Sequence, residues 1–267
     1  MAYTIGFIGT GNMGGALARA AARTLPPHEI VLCDHFPEKA RALAGELGCA
    51  VAETPAAAAA ESRFLFLGVK PHMMGGLLAS LQFAGTAPVL ISMAAGLTLA
   101  QLGEMAGGAV QPIIRIMPNT PVSEGAGVII FACNEYVTEA QREEFLHFMS
   151  GAGAVRPLEE SLIDAATSVS GCGPAFTYLF IDALADGGVT CGLSRDDALL
   201  FAAQTVLGAA EMILRSGKHP EQLKNEVCSP GGSTIQGVRV LEQRALRAAC
   251  MDAVIAAFAK NREFGKA

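Results

Sequence analysis

From Tyr3 to Thr24 the chain passes from a short apolar run into a glycine turn and then an alanine-rich stretch. Tyr3–Ile8 reads as a strand, Gly9-Thr10-Gly11-Asn12-Met13-Gly14 as a tight turn, and Gly15 to Thr24 as a helix. In such a turn Gly9 permits a sharp change of direction, Gly11 lets a pyrophosphate approach the main chain, and Gly14 lets helix and strand pack closely. The helix start offers unpaired N–H groups and a positive dipole end to phosphate. Ordinary strand–helix joints also use glycine, so the flanks decide the reading. Glu29–Cys33 reads as the next strand, and Asp34 stands 20 residues beyond Gly14, where a carboxylate accepts a ribose hydroxyl. Strand, turn, helix and acid together predict dinucleotide binding.

The pattern continues. Further strand-like runs are Phe64–Val69, Val89–Ser92, Ile113–Met117 and Gly127–Ala132, with helical stretches at Pro37–Leu47, His72–Leu81, Leu99–Met105 and Thr138–Ser150. Apolar strands alternating with helices predict an α/β fold, a Rossmann-like doubly wound parallel sheet. Gly151 to Pro157 reads as the exit from this layer. After Pro157 strand signals cease. Ser161–Gly187 is apolar and broken at Gly171-Cys172-Gly173-Pro174, and Ser194 opens a helix that runs to Arg215 and stops at Gly217. Pro220–Val227, Thr234–Glu242 and Arg244–Phe264 read as further helices. The expected organisation is a dinucleotide-binding domain over 1–157 and an all-α C-terminal domain over 158–267.

Of 267 residues 51% are apolar and 16% charged, against about 25% charged in an average soluble domain. Such a chain either enters a membrane or buries surface against copies of itself. No uninterrupted apolar run reaches the about 18 residues of a spanning helix, so self-association is expected and a membrane is not. The near-uncharged segment 71–103 is repeatedly broken by glycine and proline. Ahead of Tyr3–Ile8 there is no basic region, and that run is too short for a signal core, so the expected location is the cytoplasm. A net charge of −6 without a basic cluster argues against nucleic acid. The seven cysteines form no C-x-x-C pair and read as small buried apolar residues in a reducing cytosol. The five histidines are scattered, and no metal site is expected.

In an open α/β sheet ligands bind beyond the carboxyl ends of the strands. Besides the glycine turn, three such loops stand out: Asp34-His35, Val69-Lys70-Pro71 and Met93-Ala94-Ala95-Gly96. Asp34 favours NAD over NADP by repelling a 2′-phosphate, a repulsion that His35, Lys39 or Arg41 would offset. In the loop Arg115 to Pro121, Asn119 combines donor and acceptor between two prolines. In the second half, Ser229-Pro230-Gly231-Gly232-Ser233-Thr234 precedes a helix start and combines free N–H groups with two hydroxyls. It reads either as an anion nest or as plain capping by Ser233 or Thr234. No Ser/His/Asp or Cys/His triad spacing and no catalytic acid pair is evident.

The motifs Gly6 to Met13, Val69 to Pro71, Met93 to Gly96, Arg115 to Pro121, Ser170 to Phe176 and Ser229 to Thr234 occur in this order with matching spacing. The chain thereby resembles the pyrroline-5-carboxylate reductase family over nearly its whole length. The resemblance implies a Rossmann domain, a helical domain that interlocks into dimers and larger assemblies, and NADPH or NADH as hydride donor. By motif match, Gly9, Thr10, Gly11, Asn12, Met13, Gly14, Asp34, His35, Val69, Lys70, Pro71, Ala94, Ala95 and Gly96 would line the cofactor, with Asn119 nearby. Gly231, Gly232, Ser233 and Thr234 would bind 1-pyrroline-5-carboxylate, reaching across from the partner subunit, with Thr234 the catalytic candidate. The chain departs from the family at Asp34-His35, at Cys172 where serine is common, and at Glu226 where asparagine is usual. A β-hydroxyacid dehydrogenase shares the opening motif but needs a base, typically a lysine on the long helix after the interdomain glycines. No lysine occurs between Lys70 and Lys218. A dinucleotide sensor without catalysis would have no need of the Pro230–Thr234 turn.

Overall fold

A computed structural model describes residues 2–81, 87–108 and 110–264. The chain divides into two compact units, one of residues 1–172 with 257–267 and one of residues 173–256.

The first unit carries strands β1 (Tyr3–Ile8), β2 (Ile30–Cys33), β3 (Ala50–Val51), β4 (Ser62–Leu67), β5 (Val89–Ser92), β6 (Ile113–Pro118), β7 (Gly127–Cys133) and β8 (Gly153–Pro157). They form one sheet in the order β3-β2-β1-β4-β5-β6-β7-β8. Its helices are α1 (Asn12–Ala21), α2 (Pro37–Leu47), α3 (Pro55–Glu61), α4 (Met74–Ser80), α5 (Leu99–Met105), α6 (Glu139–Met149) and α7 (Ile163–Ser170).

The period of two along each strand sorts side chains onto two faces. Ile5, Phe7, Phe64 and Phe66 pack with α1, α2 and α6 in one core, whereas Ile8, Leu65 and Leu67 join residues of α3, α4 and α5 in another. Phe7 stacks on Phe66, and Phe64 and Phe66 meet Phe148 edge-on. Both faces of the central strands are therefore dry, which is why those strands read as continuous apolar runs. Thr98 and Thr138 cap α5 and α6 through reciprocal bonds with Gln101 and Gln141.

The sheet differs from the expected parallel layer in one pairing and, beyond β7, in an additional strand. β7 runs antiparallel to β6, because Asn119–Ala126 is shorter than the roughly dozen residues a parallel crossover requires. Gly153–Pro157, read as an exit loop, instead continues the sheet as β8, parallel to β7. Its exposed edge position and terminal proline remove the apolar alternation that marks an inner strand.

The second unit contains α8 (Gly173–Thr190), α9 (Arg195–Ser216), α10 (Pro220–Val227), α11 (Ser233–Gln243) and most of α12 (Leu246–Phe264). Ser194 caps α9 by accepting from the Asp197 N–H, and α9 stops at Gly217. α8 and α9 meet through Ala185, Ala198 and Ala202, too small a core to satisfy their apolar surface. Leu179, Leu200, Phe201, Leu207, Leu214 and Ile255 remain exposed. By length and composition alone α9 could cross a membrane. The exposed apolar surface extends onto α8, α11 and α12 as well, the pattern of an interface between chains.

Candidate functional site

The glycine turn is fixed from behind by neighbouring strands. Gly9 N–H donates to Cys33 O at 2.8 Å, and Gly68 N–H donates to Ile8 O at 2.7 Å. Gly9 has a φ of 98°, in the region that favours glycine. A Cβ on Gly14 would lie 2.0 Å from Gly9 O, so the helix can sit this close only because the side chain is missing. Gly11 differs: a Cβ there would meet nothing within 4 Å. Packing within the chain does not demand glycine at this position, but approach by a ligand would. Gly11 is also the N-cap of α1 and makes no side-chain bond to the first turn. The opening N–H groups of α1 thus face a cradle that a Cβ would fill, the arrangement a dinucleotide pyrophosphate needs.

Around this turn the strand-end loops gather into a cleft of about 440 Å³. Gly11, Asn12, Met13 and Gly14 line it with Gly68, Val69, Lys70 and Pro71 after β4, Met93, Ala94 and Ala95 after β5, and Met117 and Pro118 at the end of β6. Gly9, Thr10, Asp34, His35, Gly96 and Asn119 are not part of this lining. Gly68 is an addition to the motifs singled out from the sequence; Met93, Met117 and Pro118 belong to those motifs but were not among the residues expected to line the cofactor. Their signal was available, since each lies at or just past a strand's carboxyl end. A larger cleft of about 640 Å³, with Tyr136 and Glu159 in its wall, holds none of the residues singled out.

Thr10 and Asp34 form a unit behind the turn. Thr10 N–H donates to Asp34 Oδ2 at 2.6 Å, the Thr10 hydroxyl donates to the same oxygen at 2.9 Å, and Phe36 N–H donates to Oδ1 at 2.9 Å. Burial alone would raise the carboxyl's pKa, but these bonds together with the nearby Lys39 hold it below the usual value. Asp34 is therefore ionised at neutral pH, with its orientation set by the glycine turn. His35 is exposed and lies edge-on to Phe36, over whose ring Lys39 Nζ sits at 4.7 Å. On the expectation that Asp34 faces the ribose, Asp34→Ser should raise kcat/KM with NADPH relative to NADH by about tenfold or more, since it removes a fixed negative charge. Paired steady-state assays check this, and an unchanged ratio refutes it.

Asn119 is 8% exposed and its amide is committed to the chain. Nδ2 donates to Ser170 O at 2.9 Å, and Oδ1 accepts from Val128 N–H at 2.7 Å. It holds the loop after β6 in place. Burial pushes the Cys33 and Cys49 thiols up and Cys133 up to about 11. All seven cysteines are free, and Cys191 and Cys250 are exposed rather than buried.

In the second unit, Gly232 N–H closes the turn on Ser229 O at 3.1 Å. Capping by Ser233 or Thr234 is not what forms. The N-cap is Gly232, with no side-chain cap bond, and Ser233 and Thr234 occupy the first turn of α11. Neither hydroxyl has a hydrogen-bond partner among the described residues, and both are exposed. The reason is local: a Cβ on Gly232 would lie 2.4 Å from Ser229 Oγ, so the tight turn places the cap on the glycine. The helix start keeps free N–H groups beside two free hydroxyls, able to bind a carboxylate and donate one more hydrogen bond. Glu226 is turned to Lys218 at 2.8 Å.

Comparison with known proteins adds independent findings. Residues 160–264 match the family model for pyrroline-5-carboxylate reductase dimerisation, and residues 4–96 match the model for NADP oxidoreductase, coenzyme F420-dependent. A pyrroline-5-carboxylate reductase of Glycine max is 41% identical over 98% of this chain and 96% of that protein. The structure of a pyrroline-5-carboxylate reductase from Coxiella burnetii superposes with a TM-score of 0.91 at 31% identity, covering 100% of both chains. That of a Plasmodium falciparum pyrroline carboxylate reductase with NADP bound gives 0.86 at 32% identity, over 98% of both.

Proposed function

This chain belongs to the pyrroline-5-carboxylate reductase family, and from that premise we propose that it reduces the C=N bond of 1-pyrroline-5-carboxylate to give L-proline, the last step of proline synthesis. The donor is NADPH or NADH, which supplies a hydride to the imine carbon when bound. The observation that carries the reading is the pair of half-sites: an uncapped α1 behind an open Gly11, and an uncapped α11 carrying two free hydroxyls.

Each half-site has a defined task. The α1 N-terminus and the Gly9–Gly14 turn hold the pyrophosphate, Asp34 faces the ribose, and Val69–Pro71 with Ala94 and Ala95 bound the rest of the cofactor. The free N–H groups of Ser233 and Thr234, in the turn shaped by Gly231 and Gly232, receive the substrate carboxylate, helped by the dipole of α11. The Thr234 hydroxyl hydrogen-bonds the ring nitrogen, donating to the neutral imine or accepting from the N–H of the protonated one, and so orients the ring. Solvent can protonate that nitrogen before hydride transfer, so no strong general acid is required. The protein's contribution is then alignment and charge complementarity, consistent with a chain that has neither an acid pair nor a lysine between Lys70 and Lys218.

The chain carries a dimerisation module over residues 160–264. We take the exposed apolar faces of α8, α9, α11 and α12 as the contact between copies, and the seven free cysteines fit a reducing cytoplasm. The purified chain is expected to have the mass of a dimer or a larger assembly by light scattering, with a Tm that rises with protein concentration. A monomer at micromolar concentration would contradict this. Oxidation of NADPH and NADH, measured side by side with 1-pyrroline-5-carboxylate, tests the activity. Cofactor binding with no turnover on any cyclic imine would make the chain a dinucleotide-binding protein instead.

A further inference from the structure

Arg115 lies on β6 with its side chain only 5% exposed, in register with Ser92 of β5 on one side and Ala132 of β7 on the other. A guanidinium so placed needs fixed partners. Nη1 donates to Glu160 Oε1 at 2.9 Å, Nη2 stands 3.7 Å from Asp164 Oδ1, and Nε has no hydrogen-bond partner among the described residues. The same Glu160 oxygen also accepts from Leu99 N–H at 2.7 Å, the first residue of α5. One carboxylate oxygen thus joins two segments that are distant in sequence.

Both segments lead directly to the cofactor cleft. Upstream of Leu99 is the loop that presents Met93, Ala94 and Ala95, and downstream of Arg115 are Met117 and Pro118. Glu160 lines no part of that cleft. It stands at the first residue matched by the dimerisation model, so a residue of the dimerisation segment ties the two walls together.

We propose that Glu160 is a positioning residue for the cofactor cleft, acting through Arg115 and the start of α5. Without its carboxylate, Leu99 N–H loses its acceptor and Arg115 keeps only the longer contact to Asp164. The buried cation then has cause to shift, and the loop after β5 is no longer tied to the end of β6. Cofactor binding is the function exposed to that change. The inference rests on reading this cleft as the nicotinamide dinucleotide site.

The test uses the full chain with Glu160→Ala, Glu160→Gln, Arg115→Lys and Arg115→Met. Dissociation constants for NADPH and NADH come from fluorescence titration, with KM for 1-pyrroline-5-carboxylate and Tm measured in parallel. Glu160→Ala is expected to weaken both cofactors by about tenfold while the KM for 1-pyrroline-5-carboxylate stays within about twofold. Glu160→Gln keeps an oxygen for Leu99 N–H but loses the charge, so it falls between Glu160→Ala and the parent. Arg115→Lys keeps the charge and is expected to retain more affinity than Arg115→Met. If Glu160→Ala fails to fold, Glu160→Gln decides. Parental cofactor affinity in Glu160→Gln overturns the proposal, as does an equal rise in cofactor and substrate constants that follows Tm. Gly11→Ala is the control for the underlying reading: parental affinity there removes the cleft as the cofactor site, whereas weakened binding there with none in Glu160→Gln removes only the positioning role.

Discussion

Thr234→Ala is expected to lower kcat on the order of 10²-fold, the contribution of a hydroxyl that orients or protonates a reacting group in the transition state. The structure narrows why. A threonine that capped its own helix would cost about 1 kcal/mol of stability on truncation and leave chemistry untouched. Here Gly232 is the N-cap and the Thr234 hydroxyl is free, so the substitution removes a donor without removing a cap. Tm and NADPH affinity should stay at parental values, and Thr234→Ser should restore most of the rate. Parental turnover in Thr234→Ala would end the assignment, and a fall in Tm equal to that of a lost cap would return Thr234 to a structural role.

Adding one methyl group at two positions of the same turn is expected to have two different outcomes. Gly14→Ala places a carbon 2.0 Å from a backbone oxygen. The turn must open, at a cost of about 1–3 kcal/mol, and cofactor affinity should fall on the order of 10²-fold because the α1 N–H groups move off the pyrophosphate. Gly11→Ala meets no atom of the chain. Its Tm should match the parent while NADPH and NADH bind at least about tenfold more weakly. Thermal melts beside fluorescence titrations separate the two. Equal stability loss in both variants would mean that the glycines serve folding alone, and unchanged binding in Gly11→Ala would move the pyrophosphate elsewhere.

Much of the fold and part of the site could be read from local pattern. The alternation of Ile5 and Phe7 with Gly6 and Ile8 marks a strand dry on both faces, and the glycine spacing and Asp34 are the local pattern on which the proposed dinucleotide site rests. Four strand-end loops were identified as loops because each interrupts an apolar run with glycine, proline or a charge. β8 escaped because an edge strand has no apolar alternation to display. The reversal of β7 was in principle legible from the length of Asn119–Ala126. Asn119 was legible as a special residue, yet its partners Ser170 O and Val128 N–H are set by tertiary placement.

The sequence by itself determined the class of fold, the order of most of its elements and the family. Those follow from short-range rules: the period of two in strands, helix caps and stops, and the steric demands of glycine and proline, all written in neighbouring residues. Tertiary structure alone decided that Gly11 faces open space while Gly14 abuts Gly9, that Asp34 is held by Thr10, that Gly232 and not Ser233 caps α11, and that Glu160 joins Leu99 to Arg115. Each of these depends on atoms brought together by packing. A side chain's type is local, but its hydrogen-bond partner and the space beside it are properties of the folded chain.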